Sequence, residues 1–266
     1  MRDGKERHDR HERRDPFDLR GRRALLTGSY RGLGQVLARG LAEAGAVVVL
    51  NGRSLEPLEA EVARLRGEGL EAHGFPFDIT RERDVDEAVG AIEREVGPLD
   101  ILVNNAGVQK RAPLHEASTE DWRAIVDTHM TGAFLVSRRV AGGMIERGGG
   151  KIINVCSTAS FAGRAGIGPY TAAKGGLLML TRAMCADWGR YNIQANGLAP
   201  GYFITDMTRA LAEDERFSEW VAGRTPAGRW GRPEELVGAL RLLASGASSF
   251  INGQVITVDG GLLAVM

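Results

Sequence analysis

From Arg23 onward the chain alternates short, almost wholly apolar runs with longer stretches of helical period, an order that few folds accommodate. The apolar runs fall at residues 24–27, 47–50, 72–77, 101–104, 151–155, 193–198 and 254–258. Between them Val36, Leu37 and Leu41, then residues 55–66, then Val85, Ala88, Val89, Ile92 and Val96 mark amphipathic helices. Further helices are expected over residues 119–145 and 168–190 and from Pro233. Strands this short and this apolar are buried on both faces, as in a parallel sheet with helices on each side. The expected fold is α/β, a single doubly wound, Rossmann-like domain of about seven strands spanning residues 16–266. Residues 202–232 are a long insertion and a candidate substrate lid, though Trp220 and Trp230 could equally serve to pack it down.

The rest of the composition narrows the partners. With 34 basic and 34 acidic residues the charges cancel, so no overall field draws the chain to nucleic acid or to an anionic membrane, and any anion binding must be local. Residues 1–15, MRDGKERHDRHERRD, hold almost no apolar side chain and are expected to be a disordered tail, with His8 and His11 solvated rather than binding a metal. Cys156 and Cys185 lack metal-site spacing and suit a reducing compartment. No apolar run approaches the ~18 residues of a membrane span and no secretory signal is present, so a cytoplasmic protein is expected.

The first glycine turn, Gly28-Ser29-Tyr30-Arg31-Gly32-Leu33-Gly34, lies between the first strand and the first helix, where backbone amides and a helix N-terminus face a pyrophosphate. A glycine triplet alone can be a tight turn that binds nothing; its place at the start of an α/β chain points to a dinucleotide. The second strand ends Asn51-Gly52-Arg53, without the carboxylate that hydrogen-bonds an adenosine ribose. Arg31 and Arg53 together offer two guanidiniums to a 2′-phosphate, so NADP(H) is the expected cofactor; the alternative is two solvated surface charges.

Tyr170 and Lys174, at i and i+4, lie one above the other on a helix face, and Ser157 precedes them by thirteen positions. A cation beside a phenol favours its ionised form and makes a better proton carrier than tyrosine at its ordinary pKa. Taken alone, such a pair is also an ordinary feature of a solvated helix.

The turn Thr27-Gly28-x-x-x-Gly32-x-Gly34, Asp78, Asn104-Asn105-Ala106-Gly107, Ser157, Tyr170-x-x-x-Lys174, Pro200-Gly201 and Val258-Asp259-Gly260-Gly261 occur in the order and at the spacing of the short-chain dehydrogenase/reductase family, which the chain resembles over residues 17–261. The resemblance implies Tyr170 as proton donor and acceptor. It gives Lys174 the nicotinamide ribose hydroxyls and the lowering of the tyrosine pKa, and Ser157 a hydrogen bond to the reacting oxygen. Asp78 and Ile79 would meet the adenine, Asn104, Ala106 and Gly107 would line the cofactor, and Pro200, Gly201, Phe203 and Thr205 would reach the carboxamide. Asn104 could also brace the neighbouring strand, which is compatible with lining the cofactor. Many members carry an asparagine in a proton relay where this chain has His129, in step with Trp122, Ile125, Val126 and Ala133. It is either a satisfied core histidine or a substitute in the relay.

Stretches such as VNNAGVQKRAPL and ADWGRYNIQANGLAPGYF are similar to the family's sugar-acid enzymes, which implies interconversion of D-gluconate and 5-keto-D-gluconate. Arg111, with Lys110 and Gln109, follows the fourth strand and is expected to take the substrate carboxylate. The alternatives are a 3-oxoacyl-carrier-protein reductase or other polyol or keto-acid reductase, and a dinucleotide-binding protein that does not catalyse. Family resemblance implies a homotetramer, with Leu177, Leu178, Leu180 and Met184 spreading apolar surface around the tyrosine helix.

Overall fold

The computed structural model describes residues 15–265. The expected tail, with His8 and His11, lies outside the described residues except for Asp15, whose carboxylate accepts the Phe17 N–H at 3.0 Å.

Seven strands form one wholly parallel sheet: β1 (Arg23–Leu26), β2 (Val47–Gly52), β3 (Ala72–Pro76), β4 (Ile101–Asn104), β5 (Gly150–Val155), β6 (Ile193–Pro200) and β7 (Val255–Val258), in the order β3-β2-β1-β4-β5-β6-β7. Side chains alternate across a strand, so β1 sends Ala24 and Leu26 to one face and Leu25 to the other. On the first face these residues meet α1 (Gly32–Glu43), α2 (Leu55–Gly67) and α9 (Val237–Ala244), through Leu37, Leu41, Leu58 and Leu240. On the second, Leu25, Leu102 and Ile152 pack with α3 (Glu82–Glu95), α5 (Gly132–Arg147) and α6 (Gly168–Trp188), through Val89, Ile92, Val140 and Met184. The chain reverses its direction of winding between β1 and β4, which opens a crevice at the carboxyl ends of those strands.

Two expectations need correction. The single helix expected over 119–145 is divided: α4 (Thr119–Val126), capped by the Ser118 hydroxyl accepting the Asp121 N–H, runs into a π-helical turn at Asp127–Thr131 before α5 begins. The wider turn shifts the phase of α4 against α5; Ile125, His129 and Ala133 are buried, but Trp122, near the start of α4, is 43% exposed. Leu177, Leu178 and Met184 are buried within the single chain and Leu180 is half-buried, so they do not supply a second apolar face. On α6 that surface is Met179, 57% exposed.

The 202–232 insertion carries α7 (Arg209–Ala212) and α8 (Glu215–Arg224). It rests at two places on the end of β7 and the turn that follows. The Gly201 N–H donates to Val258 O at 2.9 Å, and the Ala227 N–H donates to Gly260 O at 3.0 Å. A Cβ on Gly201 would lie 2.5 Å from Asp259 Cβ, and one on Gly261 2.9 Å from the Pro226 ring, so these glycines permit the two backbones to touch.

Candidate active site

The glycine turn leads from β1 into α1, and its first two N–H groups, of Gly28 and Ser29, are taken up by Asn51. Gly28 has φ +60°, and a Cβ there would come within 2.8 Å of Ala106 Cα. The turn is fastened to the Asn104–Gly107 segment from both sides. The Thr27 hydroxyl accepts the N–H groups of Asn105 and Ala106 at 3.0 and 3.1 Å, and the Asn105 amide donates to the carbonyls of Thr27 and Gly28. Gly32 has φ +56°, and its Cβ position would lie 3.7 Å from the carboxylate of Asp206, which brings the insertion over the turn.

Asn51 does not face the crevice. It is 2% exposed; its side-chain oxygen accepts the Gly28 N–H at 3.2 Å and its amide donates to Phe77 O at 3.1 Å, so it braces the turn from beneath. Ser29 is likewise turned inward, donating to Leu26 O. Gly52, at the end of β2, is covered by the ring of Tyr30, and the Arg31 guanidinium sits 5.5 Å from the centre of that ring. Arg31 and Arg53 are exposed. Arg53 lies close enough to Asp78 to act on its carboxyl. Burial pushes that group up, but the hydrogen bonds from Thr80 and the charges of Arg53 and Arg81 outweigh it and hold it below its ordinary value. Ile79 is buried and would meet a Cβ on Gly132, so it also spaces α5 from β3.

Ser157 follows β5 in extended backbone and caps the short 3-10 turn Thr158–Ser160, accepting the Ala159 N–H at 3.1 Å. Tyr170 and Lys174 occupy the first turns of α6, opened by Pro169. The Lys174 ammonium is 3% exposed, donates to Val155 O at 2.5 Å and lies 5.6 Å from the centre of the Tyr170 ring. Burial lowers its pKa to about 8, against an opposing pull from Cys156. The expectation that the cation brings the phenol down is not met. Burial raises the Tyr170 pKa, the Ser157 hydroxyl offsets this in part as its hydrogen-bond partner, and the Cys156 thiol adds to the rise. A phenol so placed keeps its proton at neutral pH.

His129 sits at the centre of the π turn, edge-on to the Tyr170 ring with centroids 5.2 Å apart. Its Nε2 lies 2.8 Å from Val108 O and 3.2 Å from Val108 N, and its Nδ1 is buried without a partner. Nε2 cannot serve both at once: protonated it donates to Val108 O and leaves Nδ1 an acceptor, and with the proton on Nδ1 it accepts from Val108 N. Burial and the nearby Lys174 charge lower its pKa to about 3, against the Val108 bond, so the ring is neutral.

Asn104 does brace its neighbours: its amide donates to Ser137 Oγ and to Asn154 Oδ1, each at 2.8 Å. Among the described residues, the buried side-chain polar atoms without a partner are Asn104 Oδ1, Gln109 Oε1, His129 Nδ1 and Thr171 Oγ1, all carried by the β4–α4 segments and the tyrosine helix. Unpaired buried acceptors in a well-packed chain mark where a polar ligand completes the bonding. A dinucleotide bearing a 2′-phosphate fits this crevice: glycines leave room at the turn, the exposed Arg31 in the turn and Arg53 after β2 offer two guanidiniums, and the buried Lys174 ammonium lies beyond β5.

Phe203 is buried beneath Gly231, whose amide donates to Tyr202 O at 2.8 Å, and the Thr205 hydroxyl pairs with that of Thr208 at 3.0 Å. Their side chains therefore fold the insertion. Lys110 and Arg111 are exposed at the crevice mouth, and burial followed by the charge of Arg164 lowers the pKa of Arg111. The roles of Tyr30, Asn105 and Arg164 escaped the sequence reading; the one available signal was an arginine between glycines in the short segment joining the serine to the tyrosine.

The model of the short chain dehydrogenase family matches residues 22–216. The chain belongs to the short-chain dehydrogenase family. It is 54% identical over 248 residues to gluconate 5-dehydrogenase of Gluconobacter oxydans, covering 93% of this chain and 97% of that one. It is 48% identical over 252 residues to 5-keto-D-gluconate 5-reductase of Escherichia coli K12, covering 95% and 99%. A crystal structure of a gluconate 5-dehydrogenase from Burkholderia cenocepacia, in complex with NADP and tartrate, superposes with a TM-score of 0.93 at 54% identity, covering 95% of this chain and 99% of that one. Among the described residues no helix is long and apolar enough to cross a membrane, and no cluster of side chains could hold a metal ion.

Proposed function

We propose that this short-chain dehydrogenase is an NADP(H)-dependent enzyme that interconverts 5-keto-D-gluconate and D-gluconate. The observation that carries the reading is the Ser157–Tyr170–Lys174 group at the end of β5, in a chain about half identical to enzymes named for that reaction. When bound, the nicotinamide supplies or takes up the hydride. In reduction Tyr170 gives its proton to the ketone oxygen as negative charge develops there, and Ser157 donates a hydrogen bond to the same atom. Lys174 holds the ribose hydroxyls and replaces the lost charge balance around the phenolate. Arg31 and Arg53 receive the 2′-phosphate, Asp78 and Ile79 border the adenine, and Ala106 and Gly107 line the cofactor. The backbones of Pro200, Gly201, Phe203 and Thr205 border the carboxamide, and His129 positions the Val108 backbone and offers Nδ1 to a water.

Gln109, Lys110 and Arg111 face the substrate, and a cationic loop of this kind suits a sugar acid better than an acyl chain. Residues 202–232 serve as a lid over both ligands, on a single domain. The enzyme works in the cytoplasm, where Cys156 and Cys185 stay reduced, and as a homotetramer. The test is NADPH oxidation with 5-keto-D-gluconate, an acetoacetyl thioester and a panel of neutral polyol-derived ketones. Tyr170→Phe is expected to lower turnover by about a thousandfold and to leave NADPH affinity unchanged; substantial residual turnover refutes the role.

A further inference from the structure

Arg164 stands in the segment between the 3-10 turn that Ser157 caps and the start of α6. The segment is tied to the substrate loop by its backbone: the Ala112 N–H donates to Gly166 O at 3.1 Å, and Ala112 and Ile167 form an isolated parallel bridge. Arg111, next in the chain to Ala112, is thereby held beside Arg164. The Arg164 guanidinium is fixed from its other side by the insertion. Its Nη1–H donates to the Tyr202 phenol oxygen at 3.1 Å, and its central carbon lies 5.1 Å from the centre of the Phe217 ring and 6.0 Å from that of Tyr202. Those rings are immobilised in turn, since Tyr202 makes edge contacts with Phe217, Trp220 and Trp230 at 5.5, 5.7 and 5.6 Å.

The two guanidiniums are close enough for the charge of Arg164 to act on Arg111, and among the described residues neither meets a carboxylate. Elsewhere arginines find them readily, as Arg64 does with Glu61 and Glu68 and Arg229 with Glu235. Arg164 spends one N–H on Tyr202 and has no other acceptor among the described residues. Like charges held together by aromatic packing repel each other until an anion lies between them, and a planar fork matches the two oxygens of a carboxylate.

We propose that Arg164, with Arg111, forms the seat for the substrate's carboxylate, and that Tyr202 holds Arg164 in place from the insertion, so that the anion decides which ketones are presented to Tyr170. The proposal deepens the sugar-acid reading above and rests on it.

The experiment compares 5-keto-D-gluconate with L-sorbose, the same ketose with a hydroxymethyl group in place of the carboxylate, in wild type, Arg164→Gln, Arg164→Lys and Tyr202→Phe. Arg164→Gln is expected to lower the ratio of the two kcat/KM values by about thirtyfold, chiefly through the KM for the acid, with NADPH affinity by fluorescence titration unchanged. Arg164→Lys, which keeps the charge and loses the fork, falls between, and Tyr202→Phe follows it in the same direction. A loss of equal size on both ketoses makes Arg164 a purely structural residue and overturns the proposal, as does an unchanged ratio. If 5-keto-D-gluconate is no substrate at all, the sugar-acid reading fails on its own. Titration of the NADP complex with tartrate then decides the seat: affinity lost in Arg164→Gln sustains it, and affinity retained overturns it.

Discussion

A Cβ on Gly52 would come within 2.5 Å of Tyr30 Cε1, and the Arg31 guanidinium rests 5.5 Å from the centre of the same ring. Placing an aspartate at Gly52, where a carboxylate would meet an adenosine ribose, therefore also displaces Tyr30. Gly52→Asp alone is expected to weaken both cofactors, whereas Gly52→Asp with Tyr30→Ser swings the ratio of NADH to NADPH affinity by at least about tenfold, as read by fluorescence titration. Lys174 sets a second expectation. Its pKa is lowered to about 8, so the ammonium is present below that pH and lost as pH rises through it. NADPH affinity should fall along that limb, and Lys174→Arg should move the limb out of the accessible range. His129, at about 3, is neutral throughout, so His129→Asn should leave the limb where it is; a shift would give the imidazole a proton-carrying part. The sequence exposes these residues unevenly. Tyr170, Lys174 and Ser157 are legible because their chemistry needs fixed types at fixed spacing. Asn51 and Tyr30 are not, because which of two neighbouring polar or aromatic side chains turns inward is settled by the strand pleat and by what β3 and Gly52 place opposite them.

At the scale of elements, the strands were readable as apolar runs and only their ends moved by a residue or two, as with β1 beginning at Arg23 and β6 reaching Pro200. The π turn was hidden, since one wider turn leaves the apolar spacing of α4 and α5 intact within each and changes only their relative phase. It nevertheless places His129 against Val108 and Tyr170. The insertion was visible as a break in rhythm, but its anchorage was not, because the contacts of Gly201 and Pro226 with the 259–261 turn join residues far apart in the chain. Gly201→Ala should force the Asp259 backbone away and cost about 1–3 kcal/mol in chemical denaturation. Turnover should fall further than stability alone requires, because the same shift tilts the insertion over the crevice.

For the whole molecule, the exposed large apolar side chains include Trp122 on α4, Phe134 on α5 and Met179 on α6, at 43%, 41% and 57%. In the proposed tetramer a subunit contact would cover side chains of this kind, and Met179 on the tyrosine helix is the one to test. Met179→Glu is expected to yield a smaller species in sedimentation velocity with NADPH still bound, and an unchanged sedimentation coefficient would place the contact elsewhere. The insertion rests on residues 258–261 at two places, through Gly201 on one side and through Pro226 and Ala227 on the other. That turn leaves β7, the edge strand of the sheet, so a local opening of this edge would release both supports of the insertion together, while Ser157, Tyr170 and Lys174, carried by β5 and α6 further in, would keep their places.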